Sequence, residues 1–280
     1  MDILLLLVLY VALPLVTAVM LGMWIFSKYR DAIEKLQREP FWEKARPYTR
    51  SKIIVFLYLL APAVIYGILF IIFYMMAPQA DAPQGRIALT GGYILGSAGV
   101  ISLIAQGLLI SKGVADIPQD AKINMKMPTD FEKRNEWMRK NKKAMKKYTF
   151  PKHLVVAVMP QCIAVFAFLI TLFLFMGVGL WGASREVDAD ASSSNKTVID
   201  NEFAINATNV DEAETIGLIF AASCVPSLLA GYLPYQVEGE IYEKRIFTKK
   251  LMLSAVGILP AVIGLVIAIT MMVLNGMIGG

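Results

Sequence analysis

The sequence predicts an all-α, polytopic membrane protein with six transmembrane helices arranged as three tandem hairpins. Three observations carry this expectation. The chain is strongly apolar, with 57% hydrophobic residues over 280 and a mean hydropathy of +0.58. Its apolar residues gather into long unbroken runs. Its basic residues are confined almost wholly to three of the segments between those runs. Runs of this kind read as spanning helices, which need about 20 apolar residues to cross the hydrocarbon core. Strands of a membrane barrel would be about 10 residues long and alternate strictly, a pattern this sequence does not have.

The first run, 3–27, is preceded only by Met1 and Asp2. It lacks the basic start of a secretory leader and is too long for one, so it reads as a retained helix. The second, 53–77, carries "APAVIYGILFIIF" around Pro62. The third, 88–111, has small residues at Gly92, Gly96, Gly99, Ser102 and Ala105, and an amide at Gln106. The fourth, 153–182, carries "MPQCIAVFAFLITLF" around Pro160, with a second amide at Gln161. The fifth, 213–235, contains "GLIFAASCVPSLLAGYL", and the sixth, 251–275, contains "LPAVIGLVIAITMM" around Pro260. The first hairpin then comprises a first helix and cytoplasmic loop over 1–52 and the second span. The second hairpin covers 78–182, an outer loop 183–212, and the third hairpin 213–280.

Charge sets the expected sidedness. Of 27 Lys and Arg, the loop 28–52 holds eight, 112–152 holds twelve and 236–250 holds four. Six alternating helices put all three loops on one side, which the positive-inside rule makes the cytoplasm. Both termini and 183–212 then lie outside or in a lumen. That outer loop is acidic and contains "NKT" at Asn195 and "NAT" at Asn206, both glycosylation acceptors in form.

Other chemistry is thin. Cys162 and Cys224 fall inside predicted spans and form neither a disulfide framework nor a metal-binding spacing. No metal, cofactor or catalytic residue is expected, and His153, the single histidine, reads as an anchor at the membrane edge. The basic loops lack the aromatic interleaving of a nucleic-acid site. The segment 129–148 does read as a basic amphipathic helix. It opens on a capping box of Thr129 and Glu132, and Phe131, Met138 and Met145 recur every seven residues. Such a helix lies along an anionic leaflet or docks on an acidic soluble partner at 112–152.

The chain also repeats itself. Displaced by 125 residues, the third run lands on the fifth: Gly92 on Gly217, Gly96 on Ala221, Gly99 on Cys224 and Ser102 on Ser227. Runs two, four and six share a Pro followed by bulky residues, and two and six share "PAVI". Each hairpin thus pairs a small-residue helix with a bulky, Pro-containing one. Small residues let helix backbones approach closely where no hydrophobic effect drives association. The stripe is therefore expected to be a packing surface, within the chain, between copies of it, or against other membrane subunits.

With "LIAQG" at 103–107, "PAVIYG" at 62–67 and "PAVIGLVIAI" at 260–269, the sequence resembles the membrane rotor proteolipid (c or K subunit) of V/A-type ATPases. The resemblance implies an integral membrane subunit of a multi-subunit ion-translocating or energy-converting complex. It also implies an acidic residue in mid-membrane on an outer helix. Here Gln161 stands at that place before Ala167, Ala61 before Gly67 and Ile258 before Gly264, and the one Asp or Glu in the six runs is Glu214, at the very start of the fifth and far from mid-membrane. Ion carriers use a protonatable group in the membrane, so the expected role is structural rather than transporting. Gln106 and Gln161, on adjacent helices, either share hydrogen bonds or hold a cation through their carbonyl oxygens. Two other readings are an accessory docking protein that holds a soluble partner through its basic loops, and a stand-alone transporter.

Overall fold

The structure, a computed structural model, describes residues 3–38, 64, 68, 82–117, 128, 130–142, 149–178 and 207–277. The described residues form helices and their connections, with no strand among them. The second predicted span lies outside them apart from Val64 and Ile68, which are helical and exposed.

Helix α1 runs Ile3–Gln37 and continues well past its apolar run. At about 1.5 Å per residue it outreaches a hydrocarbon core of about 30 Å. Its far end is held by burial of Ile25, Tyr29 and Ala32 against Leu109, Ile110 and Val114. Helix α2 is Ala82–Ala115. Helix α3, Phe131–Lys140, is short and has no buried residue. Its cap differs from the expected capping box. Asp130 is the N-cap, its side chain accepting the Glu132 N–H at 3.0 Å. A carboxylate one residue nearer the helix serves the same orphan donors that Thr129 was expected to serve.

The fourth predicted run is two helices, α4 at Phe150–Val158 and α5 at Gln161–Gly177. Pro160 causes the break, because it has no N–H to donate and its ring displaces the carbonyl four residues back. The joint is bridged by tighter bonds, Met159 N–H to Val156 O at 3.2 Å and Ile163 N–H to Pro160 O at 3.1 Å. The fifth run is likewise divided into α6 at Ala207–Cys224, a 3₁₀ turn at Val225–Leu228 containing Pro226, and α7 at Leu229–Gln236. The last helix, α8, runs Lys244–Leu274 through Pro260. Among the described residues four stretches are long and apolar enough to cross a membrane: Thr90–Ala115, Phe150–Gly177, Val210–Gln236 and Lys244–Leu274.

Helix α2 is the centre of the bundle, in contact with α1, α4, α5, α6 and α7. Of its membrane-length stretch 72% is buried, against 33% for α8 at the periphery. This is why the third run needs small residues while the sixth tolerates an apolar outer face of Met252, Val256, Leu259, Ile263 and Val266.

The register between α2 and α6–α7 is the organising feature. At one end Arg86 pairs with Asp211 at 2.7 Å and with Glu214. Further along, Gly217 lies against Thr90, and Gly231 against the Ala105 backbone. At the other end Lys112 donates to the carbonyls of Tyr235 and Val237. The two segments are parallel, and every one of these pairs is separated by close to the 125 residues that relate them in sequence. Helices α5 and α8 also meet side by side, Gly177 against Met277 at their C-terminal ends. Helix α8 is antiparallel to α6–α7, with Gly264 on Ser223 and Gly257 on the Ala230 backbone. Helices α4–α5 are antiparallel to α2, with Gly113 on His153 and Gly91 on Thr171 and Phe175.

Candidate polar sites between the helices

Gln106 and Gln161 meet. The Gln161 Nε2 donates to the Gln106 Oε1, joining α2 to the first turn of α5 just past the Pro160 break. Gln106 is buried and Gln161 half-buried. The break matters here, because it places Gln161 at a helix start facing α2. Both amides therefore face protein. The pair occurs at one level only, since the repeat puts Gly231 where Gln106 stands and Ala261 where Gln161 stands.

The predicted packing residues lie mostly inside the bundle. Gly92, Gly96, Gly99 and Ser102 on α2 are buried, as are Gly217, Cys224 and Ser227; Ala221 is half-buried. The Ser102 hydroxyl donates to the Gly99 carbonyl at 3.0 Å. Ser227 does more, accepting the backbone N–H of Ala261 on α8 at 3.0 Å. Gly217 closes on the Thr90 side chain, while the tightest approaches to a neighbouring backbone fall at positions the small-residue stripe did not single out. A Cβ at Gly231 would fall on the Ala105 backbone, and one at Gly257 on the backbone of Leu229 and Ala230. Three helices thus cross nearly backbone to backbone at Ala105, Ala230–Gly231 and Gly257. Asn195 and Asn206 lie outside the described residues.

A second polar cluster stands about two turns beyond this crossing, at the end where the basic loops attach. The His153 Nε2 is 2.8 Å from an Asp116 carboxylate oxygen. Rather than sitting at the edge as an anchor, His153 is buried, against Gly113 of α2. Lys112 reaches the Val237 carbonyl at 3.2 Å and lies 5.0 Å from the centre of the Tyr235 ring, a cation–π distance. Lys250 on α8 is 2% exposed. One turn further in, Ser254 is fully buried and its hydroxyl has no hydrogen-bond partner among the described residues. Sequence reading counted Lys112 and Lys250 as loop charges. The signal that separates them is position: Lys112 directly follows the third apolar run and Lys250 directly precedes the sixth, each about two turns from the small-residue crossing.

At the opposite end, Arg86 is one of three cations, with Arg185 and Lys196, outside the three basic loops, and its partners are acidic. Donating to the carboxylates of Glu214 first, and Asp211 next, holds the guanidinium above its usual range, so the cation is neutralised locally. All three groups are largely exposed, so the pairing fixes register more than it stabilises.

Comparison of the chain with protein-family models, with curated proteins and with solved structures gives no match in any of the three.

Proposed function

We propose that the chain is a six-span integral membrane subunit of the rotor-proteolipid type, serving as a structural member of an ion-translocating or energy-converting complex. In this reading it is built as three tandem hairpins. The basic loops face the cytoplasm, and both termini and the 183–212 loop lie outside or in a lumen. The observation that carries it is the parallel, in-register packing of α2 against α6–α7 at the repeat spacing. Repeats related by rotation about the membrane normal keep equivalent helices parallel and in register, whereas inverted repeats set them antiparallel. The apolar outer faces of α1 and α8, including Met20, Met23, Phe26, Ile263 and Val266, suit lipid or further membrane subunits.

The Gln106–Gln161 bond supports a structural rather than a transporting role. It occupies the place where the resembled family carries its membrane carboxylate, and an amide pair has no proton to release at ordinary pH. The test is affinity purification of the chain in mild detergent. Co-purification of rotary ATPase subunits in fixed ratio is expected. Recovery without them would contradict the reading.

A second reading has its own observation. Helix α3 is exposed except for half-buried Trp137 and Met138, and its exposed Lys133, Arg134, Arg139 and Lys140 make a basic surface suited to an acidic soluble partner. On this reading the same purification returns a soluble complex unrelated to rotary ATPases, and charge reversal on α3 releases it.

A further inference from the structure

The cluster at the basic end of the bundle is short of acceptors. Lys250 is nine-tenths buried and more, yet it makes no hydrogen bond or ion pair among the described residues. Its ammonium is not itself fully enclosed, so it stands at the margin of the bundle with no acceptor from the described residues. Ser254, one turn along the same buried face of α8, is also without a partner. Two donors at i and i+4 thus lie on the same face of α8. The charges around Lys250 among the described residues do not supply the missing acceptor. Lys112 and Asp116 act on it, and the like charge of Lys112 acts more strongly than the carboxylate. Asp116 is engaged by His153, and Glu238, which acts on Lys112, is exposed. His153 feels both lysines. Lys112 has found two backbone carbonyls, whereas Lys250 has none.

We propose that Lys250 and Ser254, with Lys112 beside them, form a binding site for a phosphate group at the junction of α2, α7 and α8. Two ammonium groups and a hydroxyl match the oxygens of a phosphate, and charge-assisted hydrogen bonds of this kind are the strong ones. The site stands where the apolar stretches of α2 and α8 meet the basic loops, the level of a phospholipid headgroup. Basic pockets between helices at that level recognise anionic headgroups. The inference rests on the membrane reading above for its leaflet alone. Phosphate binding by the purified chain succeeds or fails whether or not the chain joins a rotary complex.

The test uses the full chain in non-ionic detergent, with thermal unfolding followed at matched ionic strength. Micelles are doped with phosphatidylglycerol or phosphatidylcholine, or inorganic phosphate is added instead. Phosphatidylglycerol is expected to raise the unfolding temperature above the phosphatidylcholine value. Lys250→Met should weaken the apparent affinity about tenfold or more, Ser254→Ala should weaken it less, and the exposed neighbour Lys249→Met should leave it unchanged. Removing an uncompensated buried charge leaves the fold intact or firmer. Should Lys250→Met nevertheless fail to fold, Ser254→Ala is judged by the same comparison. A shift with phosphatidylglycerol alone identifies a headgroup site, and an equal shift with inorganic phosphate identifies a free-anion site. No shift with either, or the same response in Lys250→Met and Lys249→Met, would overturn the proposal.

Discussion

The Ser227 hydroxyl accepts the backbone N–H of Ala261 at 3.0 Å, one residue beyond Pro260. Pro260 interrupts the hydrogen-bond ladder of α8, and such interruptions are tolerated in membrane helices when a neighbouring side chain takes up a freed backbone group. Ser227 stands in a 3₁₀ turn of its own, set by Pro226. Two proline irregularities on adjacent helices are therefore matched to each other. Ser227→Ala is expected to lower stability by about 1 kcal/mol, whereas Thr270→Ala, whose hydroxyl bonds back within α8 on the exposed side, should change it little. Unfolding in mixed micelles reads both. An unchanged Ser227→Ala would mean that the interhelical bond contributes nothing.

Gly231 and Gly257 should be the least replaceable small residues. Each faces backbone rather than a side-chain tip, so even a methyl group must push two helices apart. Gly231→Ala and Gly257→Ala are each expected to cost about 1–3 kcal/mol by overpacking. Ala222→Leu, on an exposed position of α6, should be tolerated. Equal recovery of folded protein from all three would remove the crossing at Ala105 as a close contact.

Sequence reading reached the helical class, the four runs that form membrane-length helices among the described residues, and the importance of the third run, because length and hydropathy suffice for these. It also marked Gln106 and Gln161 as polar groups on adjacent helices, from their chemistry alone. It did not reveal that Gly231 and Gly257 lie directly against neighbouring backbone. Burial within an apolar helix depends on which face meets a neighbour, and every face of such a helix is apolar. Lys112, Asp116, His153 and Lys250 were missed for a related reason. They come from three separate segments, and cations near a helix end serve equally as topology signals. The break at Pro160 was legible as a proline, but its effect, turning Gln161 toward α2, required the fold.

Gln161→Leu removes the amide bond to Gln106 and is expected to lower stability by about 0.6–2 kcal/mol, as for other polar contacts inside membrane bundles. Any ion flux of the assembled complex should persist at normal subunit content. Complete loss of flux in Gln161→Leu would make the amide a coordinating group instead of a bridge.

Sidedness is tested by labelling. With Cys162 and Cys224 replaced by Ala, Ser193→Cys and Asn135→Cys should react with a membrane-impermeant maleimide from opposite faces of sealed vesicles, as the Lys and Arg asymmetry requires. Labelling of both from one face would remove the six-span arrangement.

The account rests most heavily on the parallel, in-register pairing of α2 with α6–α7, and intramolecular cross-linking measures it directly. In the same cysteine-free background, Arg86→Cys with Asp211→Cys and, separately, Lys112→Cys with Val237→Cys probe the two ends of the pairing. A short bifunctional maleimide applied to the full chain in membranes should link both pairs and leave Arg86→Cys with Val237→Cys unlinked. Linkage of that last pair, with neither of the first two, would show the helices antiparallel and contradict the account.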